Sequence, residues 1–389
     1  MSKYNFISAL CGNYPVSGIR AMFDLAAGYP GAINLCNGEP NFETPKHIVE
    51  SAVTALREGR TKYGTEPGLP AMRQAVANKY IAQFGRDYDI ENVMVTLGGV
   101  EGIFMSLSAI LNPGDEVIIP DPAYTCYEGQ VLLLGGKPVR VPLYEEHGFR
   151  LQPEDLEAAI TPKTKALIVT YPSNPLGAVL DRADGEALAK VIARHPIMVI
   201  SDEVYEKILF DGREHFSLAQ IESIKDQVLV VNSLSKTYAM TGWRLGYCAG
   251  PKPVMKQMLK LHQYCIMSSP TVSQYAAITA LTQCRDDVDR MLEEYDMRRR
   301  LVVKGFNDMG LTCFEPEGAF YVFPCIKSTG MKSSEFCEKL IYSKKVAVVP
   351  GSAFGESGEG YVRVSYAYSV QHITTALQRI KEFVEELKK

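Results

Sequence analysis

The sequence has little of what marks several specialised classes of protein. None of its nine cysteines forms a Cys-x-x-Cys pair, which argues against a clustered zinc site. No uninterrupted apolar stretch approaches the length of a membrane span. The N-terminus has neither a long apolar core nor an obvious cleavage site. We therefore expect no metal centre, no membrane partner and no secretion signal.

Charge of one sign is also missing, because 41 Lys and Arg residues face 45 Asp and Glu residues in 389 positions. This balance argues against nucleic acid as an obligate partner. The odd number and the scatter of the cysteines favour reduced thiols and a cytoplasmic location. The longest basic cluster, Arg298 to Arg300, is interpreted as a solvated helix face.

Short apolar runs alternate with amphipathic helical patterns through the middle of the chain. One such pattern, residues 45–58, predicts a helix that presents Ile48, Val49, Ala52, Val53 and Leu56 on one face. The alternation predicts an α/β fold with a mostly parallel sheet covered by helices on both faces, and ligands then lie beyond the carboxyl ends of the strands. The predicted strands are 93–96, 116–120, 166–170, 197–201, 228–232 and 245–249.

The pattern changes after about residue 280. A long helix is predicted from about 286 to 309, followed by short strands at 319–324, 346–350 and 360–367, and a terminal helix that begins at Ser369. The length also exceeds what a single domain usually holds. We expect a large domain over residues 46–280 and a smaller α+β domain formed by residues 1–45 and 281–389.

Polar or aromatic residues follow five of the predicted strands. Each has an ordinary structural alternative: a glycine turn, a packing tyrosine, a proline turn, a helix N-cap at Asp202 or a surface cation. Because these strand ends meet at one rim of the sheet, their coincidence is harder to explain by packing alone. The residues are Gly98 and Gly99, Tyr124, Asn174, Asp202 with Tyr205, and Lys236 with Arg244.

Lys236 decides which ligand fits this rim. A free lysine has a pKa of about 10.4, so only about one in 10³ is neutral at pH 7, and a nucleophilic lysine needs burial or neighbouring charge. A glycine turn before a helix suits a phosphate, and an aromatic ring suits a planar ligand. Together these properties match pyridoxal phosphate, a phosphorylated ring that bonds to lysine.

The sequence resembles the fold-type I pyridoxal-phosphate enzymes and, within them, the class I aminotransferases of the bacterial aspartate and aromatic branch. The motifs occur in the family's order and span residues 34–367. They are NLCNGEPNFETP, TKYGTEPGLPAMR, YPSNPLG, SDEVY, SLSKTYAMTGWRLGY and GEGYVRVSYA. The resemblance implies a three-layer αβα large domain with a mostly parallel seven-stranded sheet, together with a smaller α+β domain.

The resemblance also implies a role for each matching residue. Lys236 would bond to the cofactor aldehyde and later move a proton, and Asp202 would pair with the ring N–H. The other cofactor contacts would be Tyr205 and Asn174 to the ring oxygen, Tyr124 stacked on the ring, and the Gly99 and Val100 backbone with Ser233 and Arg244 on the phosphate. Arg363 would clamp the substrate carboxylate, helped by Gly38 and Asn174. Tyr63 would reach the phosphate of the neighbouring subunit, which makes a homodimer part of the site.

The implied activity is transfer of an amino group from an L-amino acid to a 2-oxo acid, 2-oxoglutarate by expectation, with ping-pong kinetics. A lyase that eliminates at a C–S bond on the same fold is the alternative. A cofactor-binding regulator domain is disfavoured because no added DNA-binding segment is present. A nicotinamide-dependent dehydrogenase is disfavoured because LGGVEG lacks the Gly-x-Gly-x-x-Gly spacing.

The preferred amino acid is left open by the sequence. The helix after Gly99 has no Lys or Arg through Asn112 to bind a distal carboxylate, although Arg20 could enter the pocket. Tyr14, Tyr124 and Tyr264 are expected near the pocket, which favours broad or aromatic side chains. Aspartate remains an alternative.

Overall fold

The structure is a computed structural model that describes Ser8, Cys11, Tyr14 and residues 17–388. The strands are β1 Ile33–Asn34, β2 Val93–Thr96, β3 Glu116–Asp121, β4 Lys137–Pro142, β5 Thr164–Thr170, β6 Met198–Asp202, β7 Val228–Ser233, β8 Gly246–Ala249, β9 Tyr321–Val322, β10 Val346–Ala347, β11 Val349–Pro350 and β12 Val362–Ser365. The α-helices are Gly18–Ala27, Lys46–Arg57, Pro70–Phe84, Gly99–Ile110, Cys126–Leu133, Pro153–Ala159, Arg182–Ile192, Leu234–Thr237, Lys252–Cys265, Thr271–Gln283, Arg285–Asp308, Ser333–Lys344 and Val370–Leu387. Among these helices, none is long and apolar enough to cross a membrane.

The centre of the fold is a seven-stranded sheet in the order β2-β8-β7-β6-β5-β3-β4. Strands β3 to β7 pair in parallel with their neighbours of this group, whereas β8 is antiparallel to both β7 and β2. The prediction of a mostly parallel α/β sheet is confirmed. The parallel strands all end at one edge, which is where the predicted site residues follow in the sequence.

Both faces of this sheet are buried, as alternation of side chains along each strand requires. In β7, Val228 and Val230 belong to one hydrophobic cluster, while Leu229 and Val231 belong to a second cluster on the opposite face. All four side chains are essentially inaccessible to solvent. A strand that is apolar at every position is therefore what this sheet needs, and this explains why the six apolar runs were recognisable as strands.

The edge strand β4 was not predicted. Its sequence, KPVRVP, is short of apolar residues, and only Val141 of its six residues is buried. Proline and charged residues are tolerated at an edge because one side of the strand needs no hydrogen-bonding partner. Edge strands of this kind lack the apolar signal by which the inner strands were found.

The remaining strands join distant parts of the sequence. Strand β12 pairs antiparallel with β11 and β9, and β1 pairs in parallel with β10. The predicted strand 346–350 is thus two short strands that pair with different partners. The β1–β10 pair fastens the N-terminal segment to the C-terminal third of the chain. Most of residues 1–16 of the predicted small domain lie outside the described residues.

The predicted helix over 45–58 forms as Lys46–Arg57, but its buried face differs from the expected one. Ile48 and Ala52 are buried as predicted, whereas the side chains of Val49 and Leu56 are 37% and 54% exposed. These exposed side chains line a shallow groove that also contains Trp243. The spacing of apolar residues in the sequence thus predicted a wider buried face than the one that packs against the rest of the chain.

The interpretation of Arg298 to Arg300 as a solvated face is wrong for two of the three residues. Arg298 and Arg299 are only 4% and 1% exposed. Arg299 donates to the Pro316 carbonyl oxygen at 3.0 Å and to Asp211 Oδ1 at 2.9 Å, and its guanidinium lies 4.7 Å from the centre of the Phe210 ring. A buried guanidinium needs such partners, because burying a charge without them is costly.

We predict that Arg299→Ala lowers the free energy of unfolding by about 2–3 kcal/mol, since it removes a buried cation and its packing while its carboxylate partners stay partly hydrated. Arg300→Ala is the matched control. Its side chain is 64% exposed, so the expected change is within about 0.5 kcal/mol. Urea unfolding of both variants checks this, and equal losses would contradict the buried role of Arg299.

Candidate active site

A cavity of about 510 Å³ lies at the carboxyl edge of the central sheet. Its volume is within the usual range of sites for small ligands. The cavity brings together all but one of the residues predicted to form the site. These are Gly38, Gly99, Val100, Tyr124, Asn174, Asp202, Tyr205, Ser233, Lys236, Arg244 and Arg363.

One end of the cavity is built for an anion. Gly98, with a φ of 81°, turns the chain from β2 into the helix Gly99–Ile110, so the first backbone N–H groups of that helix face the cavity. Arg244 lies beside this turn, and its Nη2 donates to the Leu97 carbonyl oxygen at 3.3 Å. The Ser233 and Ser235 hydroxyls, 2.8 Å apart, complete the polar wall.

Arg244 has a left-handed backbone, with a φ of 51° and a ψ of 55°. This conformation costs about 1–2 kcal/mol for a residue with a Cβ. It directs the side chain between the loop carbonyls of Leu97 and Thr241, which accept from the two Nη atoms. The backbone strain is thus offset by contacts that hold the Arg244 cation at the anion-binding end of the cavity.

Lys236 lies in the short helix Leu234–Thr237 that follows β7. Its Nζ donates to the Gly38 carbonyl oxygen at 2.6 Å. Burial lowers its pKa to about 8, and the nearby cations Arg244 and Arg363 act in the same direction. An amine with this pKa has a far larger neutral fraction near pH 7 than a free lysine does, so it can act as a nucleophile or a base.

Asp202 is the last residue of β6, and its side chain is buried. Its Oδ1 accepts from the Val204 N–H at 3.3 Å and its Oδ2 accepts from the Tyr127 hydroxyl at 2.7 Å. Burial raises the pKa of Asp202 to about 6, while the Tyr127 hydrogen bond opposes that rise. The carboxylate is thus available to a cationic partner inside the cavity.

Two hydroxyls meet near the middle of the cavity. The Tyr205 and Tyr321 oxygens are 2.8 Å apart, and both rings are buried. Tyr321 also lies beneath Arg363, whose guanidinium is 4.7 Å from the centre of its ring. Tyr321 therefore fixes both a predicted cofactor contact and the predicted carboxylate clamp.

Arg363, in β12, is only 2% exposed although it is a cation. Its Nη1 donates to Asn174 Oδ1 at 3.0 Å, its Nη2 donates to the Cys36 carbonyl oxygen, and its Nε has no hydrogen-bond partner among the described residues. Phe354 and Tyr321 cover the guanidinium on its faces. A buried, incompletely paired guanidinium is suited to an incoming carboxylate.

Gly38 makes the approach of the N-terminal segment possible. A Cβ at this position would lie 2.1 Å from the Tyr321 hydroxyl oxygen. Only glycine therefore lets the backbone pass close enough for its carbonyl oxygen to reach Lys236.

The sequence missed several residues that line the cavity, namely Ile19, Phe23, Tyr127, Thr170, Ser235 and Tyr321. Tyr127 lies three residues after Tyr124, and Tyr321 lies in the predicted strand AFYVFP. Both are close to predicted features, but neither pattern distinguishes a site tyrosine from a packing tyrosine. Tyr63 does not line the cavity of its own chain, and its side chain is 82% exposed. Neither Tyr14 nor Tyr264 is among the described lining residues, and Tyr264 is 89% exposed.

Comparison with known proteins assigns the family. The sequence model of the family "Aminotransferase class I and II" matches residues 30–380. The chain belongs to this family. It is therefore an enzyme that transfers amino groups, and the family works with pyridoxal phosphate.

Similar proteins include aminotransferases from archaea and bacteria. The chain is 47% identical to an aspartate aminotransferase of Pyrococcus abyssi and 46% identical to aromatic-amino-acid aminotransferase 2 of Thermococcus litoralis, with 96% of each chain covered in both cases. An aspartate aminotransferase from Thermus thermophilus, solved with maleate, is 38% identical and has a TM-score of 0.93, with 97% of this chain and 99% of that chain covered.

The cavity fits the family's cofactor by its own chemistry. Pyridoxal phosphate needs an amine for its aldehyde, an acidic partner for its ring nitrogen and an anion site for its phosphate. One cavity contains all three: the amine of Lys236, the buried carboxylate of Asp202 and the anion-binding end beside Arg244. These groups therefore match the aldehyde, the ring nitrogen and the phosphate of the cofactor.

We predict that capture of pyridoxal phosphate by the apoprotein depends on pH through Lys236. Because the neutral amine reacts, the rate should rise about tenfold per pH unit below a pKa of about 8 and level off above it. Stopped-flow absorbance of imine formation measures this, with Lys236→Ala as the variant that forms no imine. A rate that keeps rising beyond pH 10 would contradict a lowered pKa.

Proposed function

We propose that this enzyme transfers the amino group of aspartate or an aromatic L-amino acid to a 2-oxo acid, with Lys236 as the residue that bonds to the cofactor. The observation that carries the proposal is the convergence of Lys236, Asp202 and Arg363 on one cavity. These residues supply an amine of lowered pKa, a buried carboxylate and a buried guanidinium.

The remaining cofactor contacts are proposed from the family resemblance, and the residues concerned line the cavity. Asp202 would pair with the ring N–H, Tyr205 and Asn174 would hydrogen-bond the ring oxygen, and Tyr124 would stack on the ring. The N–H groups of the helix that begins at Gly99 would hold the phosphate. Val100, Ser233 and Arg244 complete that end of the site.

The chemistry is divided between the cofactor and the protein. When bound, pyridoxal phosphate supplies an electrophilic carbon and a protonated ring that withdraws electrons from the substrate Cα. Asp202 keeps the proton on the ring nitrogen, because an ionised carboxylate favours a cationic partner. Lys236 Nζ would accept the proton that leaves the substrate Cα. Its lowered pKa keeps part of this amine neutral and basic near pH 7.

Arg363 selects the substrate class. Its planar fork matches the α-carboxylate in a two-pronged hydrogen bond, which every amino acid and 2-oxo acid can form. Asn174 Oδ1 and the Cys36 carbonyl oxygen accept from the two Nη atoms and orient the guanidinium. Gly38 brings the N-terminal segment over this end of the cavity.

The side chain of the substrate is directed towards Ile19, Phe23 and Arg20 at the mouth of the cavity. Arg20 pairs with Asp24 at 2.9 Å, and its side chain is 66% exposed. An apolar wall with one exposed cation beside it would accommodate an aromatic ring or a distal carboxylate. Relatives of both kinds, aspartate and aromatic aminotransferases, support this choice of donors. For the acceptor we propose 2-oxoglutarate.

We further propose that the active form is a homodimer with shared sites. Val49, Leu56, Tyr63, Tyr264 and Met267 are large apolar or aromatic side chains with exposed fractions of 37% to 89%. Such exposure favours a covered interface. Tyr63 of one subunit would then hydrogen-bond the phosphate in the other.

The proposed domain boundaries follow the sheets. All seven strands of the central sheet lie between residues 93 and 249, within the proposed domain over 46–280. Residues 1–45 and 281–389 would form the smaller domain, which the β1–β10 pair supports. The free cysteines of the described chain fit a cytoplasmic location.

The experiment that tests the function is a panel of amino acids with 2-oxoglutarate, followed by glutamate formation. Aspartate or the aromatic amino acids should give the highest kcat/KM, and Lys236→Ala should give no turnover. The C–S lyase is the disfavoured alternative, because the similar proteins named above are aminotransferases. Release of pyruvate from cystathionine without an acceptor would overturn the assignment.

The shared site predicts complementation between two defective chains. Tyr63→Phe should weaken cofactor binding by about tenfold, the effect of one hydrogen bond to a charged group. Mixed with Lys236→Ala chains, it should form hybrid dimers that contain one intact site. About a quarter of all sites should then bind the cofactor as the wild type does.

Titration of the unfolded, mixed and refolded chains with pyridoxal phosphate measures that fraction. The unmixed Tyr63→Phe protein is the control, since all its sites should be weak. Absence of a tight class of sites in the hybrid would show that Tyr63 acts within its own chain or not at all.

A further inference from the structure

Asp202 is held by a chain of two hydroxyl groups that the predicted site does not contain. The Tyr127 hydroxyl lies 2.7 Å from Asp202 Oδ2. The Thr170 hydroxyl in turn contacts the Tyr127 oxygen. Tyr127 is only 2% exposed, and both residues line the cavity. The carboxylate is thus contacted by Tyr127, which is in turn contacted by Thr170.

The direction of these hydrogen bonds is fixed by their end point. An ionised carboxylate can only accept, so the single proton of the Tyr127 hydroxyl must be donated to Asp202. The Tyr127 oxygen is then left to accept, and the Thr170 hydroxyl donates to it. The order is Thr170 to Tyr127 to Asp202, with each donor strengthened by the one behind it.

The fold makes this chain short and rigid. Thr170 and Asp202 are paired residues at the ends of the neighbouring parallel strands β5 and β6. Tyr127 is in the helix Cys126–Leu133 and belongs to the same hydrophobic cluster as the strand residues Ile168 and Ile200. Strand register and core packing therefore set all three oxygen positions.

We propose that Tyr127 and Thr170 are positioning residues that keep Asp202 ionised and aim one of its oxygens at the cofactor's ring nitrogen. The inference rests on the proposed function, because the partner of Asp202 is the bound cofactor. It identifies the residues that keep the Asp202 side chain in its charged form. Without such partners, burial would favour the neutral form.

The need for such support follows from the surroundings of Asp202. Burial favours its neutral form and raises its pKa, and the neighbouring carboxylate of Glu203 acts in the same direction. Lys236 and the Val204 N–H favour the charged form, together with Tyr127. Its other titratable neighbours are Tyr124, Cys126, Tyr205 and Cys248. Tyr127 is the group that favours the carboxylate most strongly.

Tyr127→Phe tests the proposal by removing one oxygen and leaving the ring. The cofactor's dissociation constant should rise about tenfold or more, as for loss of a hydrogen bond to a charged group. The pKa of the imine nitrogen that joins Lys236 to the cofactor, read from the visible absorption of the imine, should rise by at least about half a unit. The reason is that a ring nitrogen that loses its proton withdraws fewer electrons from that bond.

Tyr171→Phe is the matched control. Tyr171 is also a buried tyrosine, and its hydroxyl accepts from the Leu151 N–H at 3.0 Å, away from Asp202. This variant should keep the wild-type absorption pKa and cofactor affinity. Thermal unfolding of the apoproteins separates any loss of folding from the effect on Asp202.

Thr170→Val provides a second test that keeps the tyrosine. It should shift both readouts in the same direction by a smaller amount, about threefold in affinity. The double variant should match Tyr127→Phe alone, because Thr170 reaches Asp202 only through Tyr127. Non-additivity of this kind is the signature of a serial chain.

The proposal fails if Tyr127→Phe matches the wild type or Tyr171→Phe in both readouts. It also fails for Thr170 if the two substitutions are additive. Failure of the proposed function would look different, because the wild-type protein itself would then form no absorbing bond with pyridoxal phosphate or transfer no amino group.

Discussion

Desolvation of two opposite charges governs this site. Asp202 and Lys236 are carried into one cavity by β6 and by the short helix after β7, and burial acts against the charged form of each. For Lys236 the effect is useful as it stands, because a less basic amine can react. In the role proposed for Asp202 it is harmful, because a neutral carboxyl would not retain a proton on a ring nitrogen. The proposed chemistry therefore needs weak support for one charge and strong support for the other within one cavity.

The surrounding elements reflect this asymmetry. The lysine receives a single backbone acceptor. Burial and two nearby guanidinium groups lower its pKa, and this effect outweighs the opposite effect of the Glu39 and Asp202 carboxylates. The aspartate receives a backbone N–H and a phenol that both favour its anion. Arg363 follows a third pattern, since it is buried between two aromatic rings with part of its donor set unused. Burial, partner count and partner sign thus assign different tasks to three charged groups in one cavity.

Much of this could be predicted from the sequence, and the limits have physical causes. The inner strands were recognisable because a sheet covered on both faces needs apolar residues at every position. The charged and polar residues that follow those strands were recognisable because parallel strands end at one edge. Strand β4 was not recognisable, since an edge strand needs neither feature. Tyr127 and Thr170 were missed because a hydroxyl on an apolar element carries no signal until strand register places it beside Asp202.

The burial of Arg298 and Arg299 was also not predictable from the sequence, because it depends on partners elsewhere in the chain. Three consecutive arginines look like a solvated surface because charged residues usually remain in water. Their partners, Asn41 and the Pro316 carbonyl among them, come from remote parts of the chain. Only tertiary structure reveals that these cations cross-link segments instead of facing solvent.

The pairing of β1 with β10 also bears on the order in which the protein can be assembled. Residues 33–34 acquire their strand partner only when residues 346–347 exist. During synthesis from the N-terminus, the segment that carries Gly38 must therefore wait for nearly the whole chain before it can dock. The central sheet, complete by residue 249, can form earlier. The wall around Gly38 is therefore completed late, together with the part of the site that Arg363 supplies, although its residues are encoded early in the chain.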